Sequence, residues 1–246
     1  MVLVSSLLLP LGLTLGASLA TTAILVARST PASASTLPSV ASITQMGLAS
    51  YALTTSGNVY SWGSNAQGQL GNGSNADIGF APPSLQDSQT TPTEVLGVGG
   101  TGHLSGIASL TAVSGTVYAL STLGNVYAWG LAQDGQIGNG TAPFGQSTPV
   151  EVEGVGGVGY LSDVVQVAAL NWTAYAVTSS GNVYAWGDGA DGQLGNGTTT
   201  SSQTTPVEVS GVGGSGFLGD VTTLYVGPNI GSSTQREAFA LTSSGN

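Results

Sequence analysis

An eight-residue phrase that occurs three times sets the strongest constraint on what this chain can fold into. It reads SGNVYSWG at 56–63, LGNVYAWG at 123–130 and SGNVYAWG at 180–187. Each copy follows an alternating segment: YALTT at 51–55, YALST at 118–122 and YAVTS at 175–179. Each precedes a glycine-rich one: AQGQLGNG at 66–73, QDGQIGNG at 133–140 and ADGQLGNG at 190–197. TPTEV, TPVEV and TPVEV come next, with prolines at 92, 149 and 206, and then GVGG-x-G-aromatic-Leu, with His103, Tyr160 and Phe217 in the aromatic slot. A pattern that recurs in order at such a period marks one supersecondary unit. A single unit cannot bury its own faces, so neighbours must stack.

The segments YALTT and VYSWG alternate with period two and are rich in β-branched and aromatic residues, which predicts strands. Between them Gly57-Asn58, repeated as Gly124-Asn125 and Gly181-Asn182, is expected to form a two-residue hairpin turn in which glycine supplies the positive φ. VVQVAAL at 164–170 reads as a buried strand, and PVEV at 206–209 as an outer, half-exposed one. Four short strands per unit predict an all-β fold of propeller blades, each a four-stranded antiparallel meander.

The ordered run Y-A-L, G-N-V-Y-x-W-G, G-Q-L-G-N-G and T-P-x-E-V resembles the regulator of chromosome condensation repeat, over about residues 43–246. That resemblance implies a seven-bladed β-propeller, of which about three and a half repeats are present. Residues 240–246 match the strand and turn that elsewhere precede VYAWG, so a propeller truncated at its C-terminus is expected. The family usually carries Gly-x-x-His just before Y-A-L. Gly47-Leu48-Ala49-Ser50, Ser114-Gly115-Thr116-Val117 and Leu170-Asn171-Trp172-Thr173 stand there instead. Several members of the family are nuclear and stimulate nucleotide exchange on a small GTPase, and none of their functional residues is carried over to this chain.

The N-terminus reads as a targeting segment. Val2 to Val26 holds no charge, Arg28 follows, and Ala32-Ser33-Ala34 offers the small-residue pattern that signal peptidases cut. Residues 1–34 are thus expected to be a signal peptide cleaved after Ala34 or, since the run is long enough to span a bilayer, an uncleaved signal anchor. Residues 35–42 would be a linker and 43–246 the repeats. Either way the body of the chain is expected to be secreted or held at the cell surface.

Composition narrows the partners. The chain has no cysteine and no lysine, Arg28 and Arg236 are its only arginines, and twelve carboxylates bring the net charge to -10. Without cysteine there is no disulfide framework, thiolate metal site or thiol nucleophile. Without clustered cations neither nucleic acid nor an anionic membrane surface is an expected partner. Charged residues are only 6% of the chain, against roughly 25% in ordinary globular domains. The membrane would be met only through the N-terminal segment.

No catalytic, cofactor-binding or metal-binding residue is expected. His103 is the only histidine and shares its slot with Tyr160 and Phe217, which reads as an aromatic filler. The carboxylates recur by repeat (Glu94, Glu151 and Glu208; Asp163 and Asp220; Asp134 and Asp191), as structure rather than a single catalytic pair would have it. The glutamates read as solvated guards of an outer strand. Asp188-x-x-Asp191-Gly192 has some character of a calcium loop but lacks the glutamate at the twelfth position. Asn72, Asn139, Asn171 and Asn196 begin glycosylation sequons, yet three of the four share a repeat position that turn chemistry explains.

The function expected is a non-catalytic recognition module outside the cytoplasm, presenting propeller loops to a protein or glycan. A structural or adhesive repeat segment of a surface protein is the alternative, and a carbohydrate-active enzyme with paired carboxylates is a third reading. Glycine-asparagine turns fall at 57, 124, 181 and 245, intervals of 67, 57 and 64. The extra residues lie between Gly73 and Pro92 and between Asp220 and Phe239, in connections expected at one end of the blades. Trp172 lies in the matching connection, with Thr116 as its counterpart one repeat earlier. Length variation on one face of a repeat array marks a binding face. The candidate recognition surface is therefore Asp77, Phe80, Asp87, Trp172, Asn229 and Arg236.

Overall fold

The computed structural model describes residues 38–74, 88–227 and 237–245. They form three four-stranded meanders and one two-stranded meander. Blade A contains β1 (Val40–Met46), β2 (Ala49–Thr54), β3 (Val59–Gly63) and β4 (Gln89–Glu94). Blade B contains β5 (Ile107–Val113), β6 (Thr116–Ser121), β7 (Val126–Leu131) and β8 (Gly145–Glu151). Blade C contains β9 (Val164–Leu170), β10 (Thr173–Thr178), β11 (Val183–Gly187) and β12 (Gln203–Glu208), and unit D contains β13 (Val221–Val226) and β14 (Ala238–Thr242). β1 begins inside the stretch 35–42 read as linker, because Val40 pairs with Thr54. Among the described residues no helix is long and apolar enough to cross a membrane; the run Val2–Val26 lies outside them.

Position in the meander explains the residue types. First strands of successive blades face one another: Thr111 Oγ1 donates to the Val167 carbonyl at 3.2 Å, and the Gln166 amide brackets Leu224, donating to its carbonyl at 2.7 Å and accepting from its N–H at 2.8 Å. They are less enclosed than expected, with Val165 of the VVQVAAL strand 55% exposed. Second strands are covered on both faces, every residue of β6 and β10 being buried, hence their unbroken runs of small and apolar side chains. Fourth strands are outer edges, where Pro92, Pro149 and Pro206 cost no ladder bond.

The hairpin between second and third strands differs from the expected two-residue turn. The Thr54 N–H donates to the Asn58 carbonyl, and the Gly57 N–H to the Thr54 carbonyl. The loop is therefore the three residues Thr55-Ser56-Gly57, with glycine last at φ 81°. This is a type I turn closed by a left-handed residue. Gly57 has a second duty: its carbonyl accepts from the Ile107 N–H of the next blade, and a Cβ there would stand 3.0 Å from that nitrogen.

A main-chain acceptor locks blade A to blade B and blade B to blade C. The Tyr51 hydroxyl donates to the Gln69 carbonyl at 2.9 Å, and Trp129 Nε1 of blade B donates to the same oxygen at 2.9 Å. At the next junction Tyr118 and Trp186 donate to the Gln136 carbonyl at 2.7 and 2.9 Å. Two lone pairs accept two donors. The glutamine side chain fixes the loop that offers this oxygen: Oε1 of Gln69 accepts from the Gln67 N–H, and Oε1 of Gln136 from the Asp134 N–H. The glycine two residues on makes room, since a Cβ at Gly71 or Gly138 would stand 2.9 or 2.8 Å from the indole nitrogen. Burial pushes the Tyr51 and Tyr118 hydroxyls well above the usual tyrosine range and that of Tyr175 up to about 12.

Candidate recognition site

Each blade has two ends. At the turn end lie the two-residue connection between first and second strands and the longer one between third and fourth. Hydrogen bonds hold the two together: the Ser64, Leu131 and Asp188 N–H groups donate to the carbonyls of Leu48, Gly115 and Trp172. At the link end lie the second-to-third hairpins and the glycine-rich links that carry the chain into the next blade.

Of the candidate recognition residues, Trp172 is described. It occupies the turn Asn171-Trp172, where Asn171 takes φ 53°, and its ring is partly exposed. The register makes Leu48 and Gly115 its counterparts, and Thr173 the counterpart of Thr116, because Leu170 pairs with Thr173 as Val113 pairs with Thr116. The expected match to Thr116 was off by one, since a two-residue turn leaves no space for a third residue. Asp77, Phe80, Asp87, Asn229 and Arg236 lie outside the described residues.

The link end carries the slot that the sequence reading took for aromatic filler. His103, Tyr160 and Phe217 each form an isolated bridge, to Leu96, Glu153 and Ser210. The backbone slot is structural, but its side chains are not filler: Tyr160 is 63% exposed and Phe217 65%. Short 3-10 turns at Val98–Gly100, Val155–Gly157 and Val212–Gly214 fold each link so tightly that its valine also faces solvent. Between link and hairpin of blade C lies a cleft of about 340 Å³, lined by Val155, Val158, Tyr160 and Asp163 of the link and by Ser180 and Tyr184. Aromatic rings and two valines lining one cleft with a carboxylate and hydroxyls can hold an amphipathic group by stacking and hydrogen bonds. Exposure was the missing signal, because a recurring aromatic looks the same in sequence whether it packs inward or outward.

The recurring carboxylates have local explanations. Asp163 and Asp220 sit at φ 58°, where blade B has Gly106 at φ 70°, a conformation that Asp tolerates better than most residues. Glu94, Glu151 and Glu208 each stand on an outer strand opposite Tyr60, Tyr127 and Tyr184, one per blade and partly buried rather than fully solvated. Tyr60 donates to Glu94 at 3.0 Å, and His103 lies 3.5 Å from the same carboxylate. Burial raises the Glu151 carboxyl. Asp134 is raised by burial and by neighbouring Asp188, and hydrogen bonding from Gln133 opposes the shift. Among the described residues no three His, Cys, Asp or Glu side chains gather in a metal-binding group. In the sequons at Asn139 and Asn196 the side-chain oxygen accepts from both the N–H and the hydroxyl of Thr141 and Thr198, and Asn72 accepts from the Ser74 N–H. These are turn-closing bonds.

Comparison with known proteins supports this architecture. The model of the regulator of chromosome condensation (RCC1) repeat matches residues 56–109, 124–175 and 180–229, and a second model of that repeat matches 164–193. The chain is 32% identical over 174 residues to the RCC1 domain-containing protein RUG3, mitochondrial, of Arabidopsis thaliana, a match covering 70% of this chain and 34% of that protein. It is 33% identical over 181 residues to the human E3 ubiquitin-protein ligase HERC2, covering 57% of this chain and 4% of the ligase. Among solved structures, human WBSCR16 superposes with a TM-score of 0.54 at 25% identity, covering 70% of this chain and 38% of that one. Prp20p of Saccharomyces cerevisiae, described with its binding to Gsp1p and histones, superposes with a TM-score of 0.54 at 22% identity, covering 70% and 39%. The chain thus spans about a third of the length of RUG3 and little more of the solved propellers.

Proposed function

This chain belongs to the regulator of chromosome condensation (RCC1) repeat family, and from that premise we propose that it is a non-catalytic recognition module, displayed outside the cytoplasm, that holds a protein partner against its link end. The observation that carries this reading is the row His103, Tyr160 and Phe217, exposed at a constant spacing of 57 residues beside exposed valines. Solvent-facing aromatics rimmed by polar groups mark interaction surfaces. Protein is the preferred partner class because Prp20p, a protein of the same fold, is described binding Gsp1p and histones. With a net charge of -10, association with a basic partner would quicken at low salt. The extracytoplasmic setting rests on the apolar N-terminal run and Ala32-Ser33-Ala34.

A second reading places recognition at the turn end, on Trp172, Asp77, Phe80, Asp87, Asn229 and Arg236, with a protein or glycan as ligand. It is favoured by the length variation confined to turn-end connections. One experiment separates the two. Immobilised chain is challenged with proteins of the culture medium and with a glycan panel, alongside Tyr160→Ser/Phe217→Ser and Trp172→Ala. Loss of a retained protein with the double variant alone supports the link end. Loss with Trp172→Ala alone moves the site to the turn end, and a glycan ligand changes the partner class. Sequencing the mature N-terminus tests export, and a start at Ser35 is expected.

A further inference from the structure

Blades B and C fold link against hairpin in the same way but line the two with different chemistry. The Thr122 N–H donates to the Gly106 carbonyl and the Ser179 N–H to the Asp163 carbonyl, each at 2.8 Å. Gly106 and Asp163 both take positive φ, so the backbone here is made equally well without a carboxylate, and Asp163 supplies one beyond that need. Blade C also has Glu153 for Leu96, Tyr160 for His103 and Ser180 for Leu123. All four changes bring in side-chain oxygen, and none brings in a cation. The cleft of about 340 Å³ gathers Tyr160, Asp163, Ser180 and Tyr184. Ligand pockets begin at roughly 300 Å³, so this one suits a single long side chain. Its charge is negative. The Ser162 hydroxyl donates to Asp163 Oδ2 at 3.3 Å, Tyr160 bridges Glu153, and Tyr184 pairs with Glu208. Among the described residues there is no lysine or arginine to offset these carboxylates.

We propose that the cleft of blade C is a pocket for one arginine side chain of the protein partner, an inference that rests on the link-end reading and names the group which that end recognises. The guanidinium stacks on the Tyr160 ring and donates to the Asp163 carboxylate, with the Ser180 hydroxyl as a further acceptor. Its methylene stem lies on Val155 and Val158, as such stems do on apolar surface. Arginine fits better than lysine, because a planar cation can face a ring and point its edge donors at a carboxylate together. Charge complementarity selects this occupant: the net charge of the chain is -10, and the cleft adds a carboxylate that the fold leaves without a cation among the described residues. Blade B, with Gly106, Leu96 and Leu123 at the matching positions, has no such pocket chemistry.

The test titrates the isotope-labelled full chain with acetyl-Gly-Arg-Gly-amide and follows the backbone amide resonances by NMR. Saturable shifts are expected at Tyr160, Asp163 and Ser180. Binding should weaken about tenfold or more when neutral citrulline replaces the peptide's arginine, and by a similar factor with Asp163→Asn in the chain. Asparagine tolerates the left-handed backbone of this position, and cooperative melting verifies the fold. Ser180→Leu, which copies blade B, should weaken binding as well. The citrulline comparison uses the parent chain and stands even if a variant unfolds. No shift at these residues, equal binding of the two peptides, or binding indifferent to Asp163→Asn in a folded variant would overturn the proposal. Should the arginine peptide fail while a culture-medium protein is still retained through Tyr160 and Phe217, the pocket falls and the link-end reading stands. A bound peptide with no protein retained supports the pocket and removes the link-end reading.

Discussion

Between blades B and C the Gln136 carbonyl is shared by Tyr118 and Trp186, whereas between blade C and unit D the Gln193 carbonyl receives Tyr175 beside an open cavity. The tyrosine bond is 2.7 Å at both junctions, and Leu194, like Ile137, is fully buried. The tyrosine bond and the buried aliphatic wall thus have the same form at both junctions. At the filled seat the Trp186 indole adds packing and a second hydrogen bond to the same carbonyl.

The largest effect should come from emptying a filled seat. Trp186→Ala is expected to cost about 4 kcal/mol in chemical denaturation, in the range for a buried aromatic, and half-buried Trp62→Ala clearly less. Equal losses would break the comparison. Next comes the glycine pair. Gly138→Ala places a methyl 2.8 Å from Trp186 Nε1 at φ 75°, so overpacking and backbone strain add to about 3 kcal/mol. Gly195→Ala meets only Val209 at 3.0 Å and should cost about 1 kcal/mol, mostly strain. Similar values for the two would mean that the seat is not open.

Alkaline titration sharpens the contrast further. A tyrosine whose folded pKa lies above its unfolded value contributes stability that is whole below about pH 10 and drains as pH rises toward the folded value. For Tyr175 the window closes near its folded value of about 12; Tyr118, raised further, keeps drawing on stability above that. Melting temperatures between pH 9 and 12 should fall less for Tyr175→Phe than for the parent chain. The smallest effect is expected from Glu94→Gln, Glu151→Gln and Glu208→Gln, each within about 0.5 kcal/mol as for surface sites. Glu94 should lie at the upper end, because Tyr60 and His103 both approach it.

Much of this architecture could be read from the letters. Alternation and punctuation placed the four strands of each blade, and the prolines at 92, 149 and 206 correctly marked the outer edge. What escaped shares a physical cause. The shared acceptor is a peptide carbonyl, which no residue letter encodes, although a tyrosine, a tryptophan and a glycine that always accompany G-Q-[LI]-G were its visible trace. Hairpin length was misread because glycine serves both the two-residue and the three-residue turn. Trp172 was placed one position out for want of a register. At the link end, periodicity reported that a slot recurs but not which way it faces, so the slot of His103, Tyr160 and Phe217 read as aromatic filler.

The junction oxygen belongs to the main chain, and that bears on how such a protein can change over generations. Replacing Gln69 or Gln136 by another residue would alter the loop's side-chain brace yet leave the acceptor atom in place; only the tyrosine and tryptophan donors are open to loss by point mutation. Because each repeat carries an acceptor for its successor and a donor for its predecessor, a duplicated repeat arrives with both halves of its junctions. Copying one unit thus lengthens the array without any new contact having to be invented.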